Sequence, residues 1–205
     1  MVIHTKKELK FYIMADHMMN RGKFKKSIKD FLIDLLMPDY IMRWMMLMRK
    51  VSFYNNKGGI LRLISYMYLY RYQRLSIKLG FSIGYNCFGY GLVVPHYGTI
   101  VVGSSNRIGN FAVLHTSTCI SDNGKSIGDG LYLSTGAKIT TRCELGNNVS
   151  IGANSVVNKS FEGNCMIAGA PAIMKKQEQA WYERDGEYYA DMVKKVESLK
   201  IQMGI

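Results

Sequence analysis

Histidine is the side chain of this 205-residue chain best suited to proton transfer near neutral pH, and there are four: His4, His17, His96 and His115. A neutral imidazole can remove the proton of an alcohol as that alcohol attacks a carbonyl. Positioned general-base catalysis of this kind contributes on the order of a hundred- to ten-thousand-fold in rate. His4 precedes the first predicted helix and His17 lies within it, so we expect structural or solvated roles for both.

The four cysteines, Cys87, Cys119, Cys143 and Cys165, carry no comparable signal. None are spaced as C-x-x-C, the arrangement of zinc knuckles and thioredoxin-like redox pairs. We therefore expect reduced thiols and no metal site. A buried thiol of this kind behaves as a small hydrophobic side chain.

After Gly80 the spacing of the apolar residues changes, and the new spacing predicts the element that must position the histidines. An aliphatic side chain then recurs every six residues, and glycine or another small residue commonly follows it. A six-residue period fits neither a helix nor an alternating strand, but it is the repeat of a parallel β-helix, in which each repeat forms one flat side of a prism. The recurring aliphatic positions are Val102, Ile108, Leu114, Ile120, Ile127, Leu133, Ile139, Leu145, Ile151 and Val157.

One interval departs from the period. The spacing from Ile120 to Ile127 is seven instead of six, and the stretch 121–126 (Ser-Asp-Asn-Gly-Lys-Ser) is rich in turn formers. It predicts a loop that leaves the prism, and solenoids tend to place function on such loops.

The first eighty residues predict four helices. Thr5 and Glu8 form a T-x-x-E capping box that opens the first, which Gly22 ends. The others are expected at about 27–36, 39–53 and 60–79, with Gly80 after the last. The third is apolar nearly all round, which is typical of packed core, although contact with a membrane surface is an alternative.

The net charge of +12 is unevenly distributed. Residues 1–80 hold 16 Lys and Arg against 5 Asp and Glu, residues 81–172 hold 5 against 4, and residues 173–205 hold 6 against 6. A basic N-terminal face suits phospholipid headgroups, a sugar-diphosphate carrier or an acidic polymer, and a merely well-solvated surface is an equal alternative. Nucleic-acid motifs are missing, so we expect no nucleic-acid partner.

We expect a cytoplasmic protein, or one peripheral on the inner face of the cell membrane. No apolar run is long enough to span a bilayer, and the N-terminus lacks the apolar core of a signal peptide. The lysines that would favour membrane contact are Lys23, Lys25, Lys26 and Lys29. Three regions are predicted: a helical region at 1–80, the β-helix at 81–172 and a helical extension at 173–205.

Two further strings, Gly91-Leu-Val-Val-Pro-His-Tyr-Gly-Thr-Ile-Val-Val-Gly103 and Ala168-Gly-Ala-Pro-Ala172, accompany the repeat. With these features, residues 25–176 resemble the hexapeptide-repeat acyltransferases, in the serine acetyltransferase-like branch that includes O-acetyltransferases of surface polysaccharides. The resemblance implies a left-handed β-helix, a homotrimer, and acetyl-CoA bound in the cleft between neighbouring prisms.

The resemblance also assigns roles to residues. His96 falls where the family has its general base, and His115 has either an auxiliary role near the thioester or a structural role in the coil. The residues expected along acetyl-CoA are Ser134, Thr135, Gly136, Ala153, Gly169, Ala170, Pro171, Lys175 and Lys176, of which the two lysines would meet the ribose phosphate or simply serve solubility.

The chain departs from the serine enzymes at several positions. The family places Asp immediately before the histidine, where this chain has Pro95, and Asp before a proline in the helical region, where it has Met37. Loop 121–126 also lacks the family's second histidine. Because an amino-acid acceptor needs both charges paired, these departures favour a sugar hydroxyl.

We therefore expect an O-acetyltransferase of surface-polysaccharide biosynthesis. Its acceptor would be a sugar, nucleotide sugar or lipid-linked glycan held by Tyr85, Tyr90 and Tyr97, and the same cleft would also serve an amino sugar. The alternatives are a serine or other small-metabolite acetyltransferase and a non-catalytic trimeric scaffold.

Overall fold

The computed structural model describes residues 1–25 and 27–205, so Lys26 lies outside the described residues. The helices are α1 (Lys6–Arg21), α2 (Ile28–Leu36), α3 (Tyr40–Asn55), α4 (Ile60–Leu79), α5 (Trp181–Arg184) and α6 (Glu187–Gln202). The strands are β1 (Phe81–Ile83), β2 (Ile100–Val102), β3 (Arg107–Ile108), β4 (Val113–Leu114), β5 (Thr118–Ile120), β6 (Ser126–Ile127), β7 (Tyr132–Leu133), β8 (Lys138–Ile139), β9 (Glu144–Leu145), β10 (Val149–Ile151), β11 (Val156–Val157), β12 (Cys165–Gly169) and β13 (Ala172–Gln177).

The strands form a prism with three flat sides. The first sheet has the order β1-β2-β5-β8-β11, the second β3-β6-β9, and the third β13-β12-β10-β7-β4. Neighbouring strands are parallel, except that β13 folds back antiparallel on β12. We number the coils 1 to 5 by their strand in the first sheet, from β1 to β11. The predicted parallel β-helix is confirmed.

The six-residue period supplies the core of this prism. All ten recurring aliphatic side chains, from Val102 to Val157, are buried inside it. Coils 2, 3 and 4 each contribute one such side chain to each of the three sides, and Val157 adds one from coil 5, so stacking the coils buries a continuous apolar column. Cys87, Cys143 and Cys165 are buried as free thiols, and Cys119 is free and half-buried.

The N-terminal helices end close to the predicted residues because their caps are local signals. Thr5 and Glu8 make both hydrogen bonds of the capping box at the start of α1. Gly22 and Gly80 follow α1 and α4 with φ of 69° and 79°, a left-handed conformation that glycine adopts without a steric penalty.

Helix α3 is packed core, as its all-round apolar composition favours. Trp44, Met45 and Met48 are at most 1% exposed. The Trp44 indole stacks on Tyr72 of α4, and its Nε1 donates to Ser76 Oγ at 2.8 Å. The membrane alternative for α3 is therefore wrong, because its apolar side chains are already covered by α4 and by the first coil.

The C-terminal extension lies against both the prism and α1. The Trp181 indole donates to the carbonyl of Phe111 at 2.8 Å, and Met192 and Val196 of α6 share a core with Phe11 of α1. Strand β13 continues the third sheet beyond residue 172, because its backbone pairs with β12 as far as Gln177.

Candidate active site

His96 lies at the corner where coil 1 passes from the third sheet to the first. In coil 1 the passage from Val93 to its counterpart in the first sheet, Val101, takes eight residues. The next three coils make the same passage in six residues: Val113 to Cys119, Tyr132 to Lys138, and Ser150 to Val156. The corner at His96 is thus two residues longer than the corners stacked beneath it, which gives the histidine an exposed loop.

Helices α1 and α4 hold this loop in place. Asn20 of α1 donates from Nδ2 to the carbonyl of Leu92 at 2.8 Å and accepts from the amide of Val94 at 3.2 Å. On the other side of His96, the amide of Gly98 donates to the carbonyl of Leu79 at 2.9 Å. An exposed imidazole is therefore carried on a backbone that is fixed at both ends.

His115 lies at the same corner one coil below. Its Nε2 is hydrogen-bonded to the Tyr132 hydroxyl at 2.9 Å, and the guanidinium of Arg184 lies 4.8 Å from the centre of the Tyr132 ring. Burial lowers the pKa of His115, and the neighbouring charge of His96 lowers it further. His115 therefore favours its neutral form.

The residues expected along acetyl-CoA occur at this same corner in coils 3 to 5. Ser134, Thr135 and Gly136 follow β7, Ala153 follows β10, and the segment 169–171 follows β12. Backbone hydrogen bonds link successive corners: Gly136 N to Thr116 O at 3.1 Å, and Asn154 N to Thr135 O at 2.9 Å. The topology thus brings these residues into one column with the two histidines.

Small residues are needed in this column because the corners stack closely. Gly136 has a φ of 75°, and a Cβ built on it would lie 2.0 Å from Asn154 Oδ1. Gly98 has a φ of 140°, and its Cβ would lie 3.2 Å from Thr116 Cγ2. The two lysines expected at the phosphate lie farther along the chain on β13, where Lys176 forms an ion pair with Glu178 at 2.8 Å.

The three tyrosines expected at the acceptor are not brought together. Tyr97 is 75% exposed next to His96. Tyr85 accepts a hydrogen bond from Asn55 at the end of α3. Tyr90 is buried among aromatic rings of α1 and of the prism, and its hydroxyl donates to Glu197 at 2.8 Å. The buried position of Tyr90 does not suit contact with an acceptor.

A cavity of about 550 Å³ opens beside the His96 loop. Tyr97 and Leu79 form one wall, and the other walls come from the end of α1, from α2 and from the start of α3. Charged side chains of both signs line it: Arg21, Lys23, Asp30, Asp34 and Asp39. A cavity of this composition suits a small ligand that carries both a cation and an anion.

These charges are arranged in pairs. Arg21 and Asp39 lie 2.6 Å apart, and Arg43, beside the cavity, lies 2.9 Å from Asp34. The hydrogen bond from Lys23, aided by Ser27, holds the pKa of Asp30 below its ordinary value. Residue spacing does not reveal this arrangement, because the charges come from three helices that meet only through tertiary packing.

The loop 121–126 occupies a different corner, between the first and second sheets. Its own contacts close it: Lys125 is buried, and its Nζ donates to Ser121 O at 2.6 Å and to Ser121 Oγ at 2.9 Å. Hydrogen bonds within the loop therefore accommodate the one residue that it has beyond the six-residue period. The loop does not contribute to the corner that carries His96.

Comparison with known proteins places the chain near one group of enzymes, although no family model matches it. It is 28% identical over 142 residues to the serine acetyltransferase of Staphylococcus xylosus, covering 66% of this chain and 63% of that protein. The structure of serine acetyltransferase from Brucella abortus has a TM-score of 0.62 at 22% identity, covering 84% of this chain and 69% of that one. A serine acetyltransferase complex with CoA has a TM-score of 0.60 at 22% identity, covering 82% and 67%.

These similarities confirm the fold, a left-handed β-helix with N-terminal helices and a C-terminal helix. The chain spans less than two thirds of the length of the curated relative it matches.

The similarities also correct the expected acceptor. The interpretation as a polysaccharide O-acetyltransferase is wrong, because the relative and the solved structures are serine acetyltransferases. That interpretation depended on the missing acids at Met37 and Pro95 and on the missing histidine of loop 121–126. The structure instead supplies acids and bases to the neighbouring cavity from other positions on α1, α2 and α3.

Proposed function

We propose that this protein is an acetyl-CoA-dependent serine O-acetyltransferase with His96 as its general base. The observation that carries the proposal is the column of small corner residues that begins at the exposed His96 loop and lies beside a cavity of paired charges. The relatives named serine acetyltransferase support the same acceptor.

The reaction requires few groups. His96, as the neutral imidazole, removes the proton of the serine hydroxyl while the oxygen attacks the thioester carbonyl of acetyl-CoA. The tetrahedral intermediate collapses, the carbon–sulfur bond breaks, and the imidazolium returns its proton to the CoA thiolate. The products are O-acetylserine and CoA, so atoms and charges balance, and the fixed loop contributes by holding the base in position.

In this proposal serine occupies the cavity beside Tyr97. Its carboxylate pairs with Arg21 and its ammonium pairs with Asp39, so that the existing 2.6 Å ion pair opens to accept a zwitterion. The serine carboxylate then takes the place of Asp39 at Arg21, and the serine ammonium takes the place of Arg21 at Asp39. This exchange avoids leaving a desolvated charge unmatched.

Acetyl-CoA in turn extends along the corner column. Its pantetheine arm lies against Ser134, Thr135, Gly136 and Ala153, with the adenine end at the segment 169–171. Lys175 meets the ribose phosphate, because Lys176 is engaged by Glu178. We further propose that the chain acts in the cytoplasm as a homotrimer, in which a neighbouring prism covers the open side of this column. Sedimentation velocity would test the trimer.

The assay that tests the proposal measures thiol release from acetyl-CoA with and without serine. We expect serine-dependent release that falls at least a hundredfold in His96→Asn. His4→Gln, which removes an exposed histidine outside the prism, is the matched control and should leave the rate unchanged. A rate of thiol release that does not depend on serine, or that is unchanged in His96→Asn, would contradict the proposal.

A further inference from the structure

Helix α4 carries an unusual distribution of charge. It contains four cations, Arg62, Arg71, Arg74 and Lys78, and no acid. The same bias extends over residues 40–80, which hold eight Lys and Arg and no Asp or Glu. Arg43 and Arg49 pair with Asp34 and Asp16 from outside this stretch, whereas the four cations of α4 have no acid on their own helix.

The burial pattern of α4 leaves a second apolar face exposed. Its buried residues, Ser65, Tyr72, Ser76 and Leu79, share one face at helical spacing and include two small polar side chains. Six of its large apolar side chains are exposed, with exposed fractions of 75% for Ile60, 65% for Leu63, 56% for Tyr66, 61% for Met67, 61% for Tyr70 and 79% for Ile77. Tyr68, Leu69 and Leu75 are partly buried against the core.

A surface helix normally turns its apolar stripe toward the core. Here Leu63, Met67, Tyr70, Arg74 and Ile77 succeed one another at intervals of three or four residues, so they form one continuous outward stripe. The Arg74 guanidinium lies 6.0 Å from the centre of the Tyr70 ring, which places a cation within that stripe. Contiguous exposed apolar surface of this kind marks an interaction site.

We infer that α4 is a docking face for an anionic lipid bilayer, on which it lies parallel to the surface. Apolar and tyrosine side chains would enter the interface while the arginines and Lys78 meet lipid phosphates, which is how interfacial amphipathic helices bind. None of the helices in the described part of the chain is long and apolar enough to cross a membrane. The contact is therefore peripheral.

Charge complementarity favours lipid over a second copy of this chain. Two copies meeting through α4 would bring eight cations together with no acid from either helix. Like charges brought together in this way oppose association. An anionic bilayer supplies the opposite charge across the whole length of the helix.

The test is co-sedimentation of the full chain with vesicles of phosphatidylcholine alone or mixed with phosphatidylglycerol. We expect binding to the anionic vesicles only, weakening as salt is raised. Arg71→Gln and Arg74→Gln should each weaken partitioning about fivefold. Leu63→Gln/Met67→Gln should weaken it further.

Ile77→Gln and Ile201→Gln form the matched pair, because both isoleucines are 79% exposed and Ile201 lies on α6. Only Ile77→Gln should reduce vesicle binding, and thermal unfolding verifies that both variants fold. The proposal would be overturned by equal binding to neutral and anionic vesicles, by no binding to either, or by an equal loss of vesicle binding in Ile77→Gln and Ile201→Gln. An oligomer that Leu63→Gln/Met67→Gln disperses, without vesicle binding, would assign the face to a second copy. Serine acetylation is assayed without vesicles, so its failure is a separate result.

Discussion

His115 Nε2 lies 2.9 Å from the Tyr132 hydroxyl, and this pair sits directly beneath the corner that carries His96. The contact joins coil 2 to coil 3 and holds a half-buried imidazole in a fixed orientation. Burial and the nearby His96 both lower the pKa of His115. The corner therefore contains one exposed histidine and one that resists protonation.

The lowered pKa predicts a pH dependence of stability. A free histidine has a pKa near 6.5, so as the pH falls below that value the unfolded chain binds a proton at His115 more readily than the folded chain does. The stability contributed by the neutral form is complete above about pH 6.5 and is lost at lower pH. His115→Gln should reduce the loss of unfolding free energy between pH 7 and pH 5, measured with urea. His4→Gln is the control, and an unchanged pH dependence in His115→Gln would contradict the assignment.

A second prediction concerns the ion pair between Arg49 and Asp16, which joins α3 to α1 with both side chains at most 2% exposed. Arg49 also donates to the carbonyl of Phe88, and Asp16 accepts from the amide of Leu92. Asp16→Asn should cost about 3–5 kcal/mol of unfolding free energy, because it leaves a buried guanidinium without its counter-ion.

Urea denaturation measures this cost. Lys195→Ala, which breaks an exposed pair with Asp191, should change stability by about 1 kcal/mol at most. Asp16→Leu/Arg49→Met removes both charges and should be more stable than Asp16→Asn. A double variant less stable than the single one would argue against the desolvation account.

The proposed serine site predicts effects on one substrate alone. Arg21→Gln and Asp39→Ser should each raise the KM for serine about tenfold, because each removes a charged hydrogen-bond partner. Serine at position 39 keeps the cap of α3, where Asp39 accepts from the amide of Met42 at 3.1 Å. Steady-state kinetics should show the KM for acetyl-CoA unchanged, and exposed Lys29→Gln serves as the control. Parallel increases in both KM values would indicate general damage.

The two lysines of β13 predict a difference in affinity for the cofactor. Lys175→Gln should raise the KM for acetyl-CoA by up to about fivefold, whereas Lys176→Gln should change it less because Glu178 already engages that ammonium. With acetyl-dephospho-CoA, which lacks the ribose phosphate, the Lys175→Gln effect should vanish. Equal effects on the two cofactors would exclude the phosphate contact.

The fold was predictable because its signals are local and periodic. One aliphatic side chain per flat side fixes each coil, so the spacing from Val102 to Val157 predicts the prism without knowledge of long-range contacts. The helix ends follow from caps that lie within a few residues of them, such as Thr5 with Glu8 and the glycine at position 80.

The acceptor cavity was not predictable in the same way. Arg21 lies in α1, Asp34 in α2 and Asp39 at the N-cap of α3, and only the packing of these helices brings them to Tyr97. The absence of acids at Met37 and Pro95 therefore does not reveal whether other charges reach the site. The burial of Tyr90 was not predictable from the sequence either. Tyr90 is close to His96 in sequence, but only the packing of α1 and α6 covers its ring.

The exposed apolar stripe of α4 was also not predictable from the sequence pattern. Its apolar residues predict a helix, but its buried face includes the small polar side chains Ser65 and Ser76, and Ser76 accepts a hydrogen bond from Trp44 of α3. Small polar side chains allow a neighbouring helix to approach closely, and hydropathy alone does not predict that such a face is buried.

The role of His96 as general base can be tested by the rate of CoA release from acetyl-CoA with saturating serine, compared between the native chain and His96→Asn. We expect serine-dependent turnover that falls at least a hundredfold in the variant, with the KM for acetyl-CoA nearly unchanged because the corner column remains intact. Turnover within a few fold of the native rate in His96→Asn would show that the imidazole of His96 is not the base.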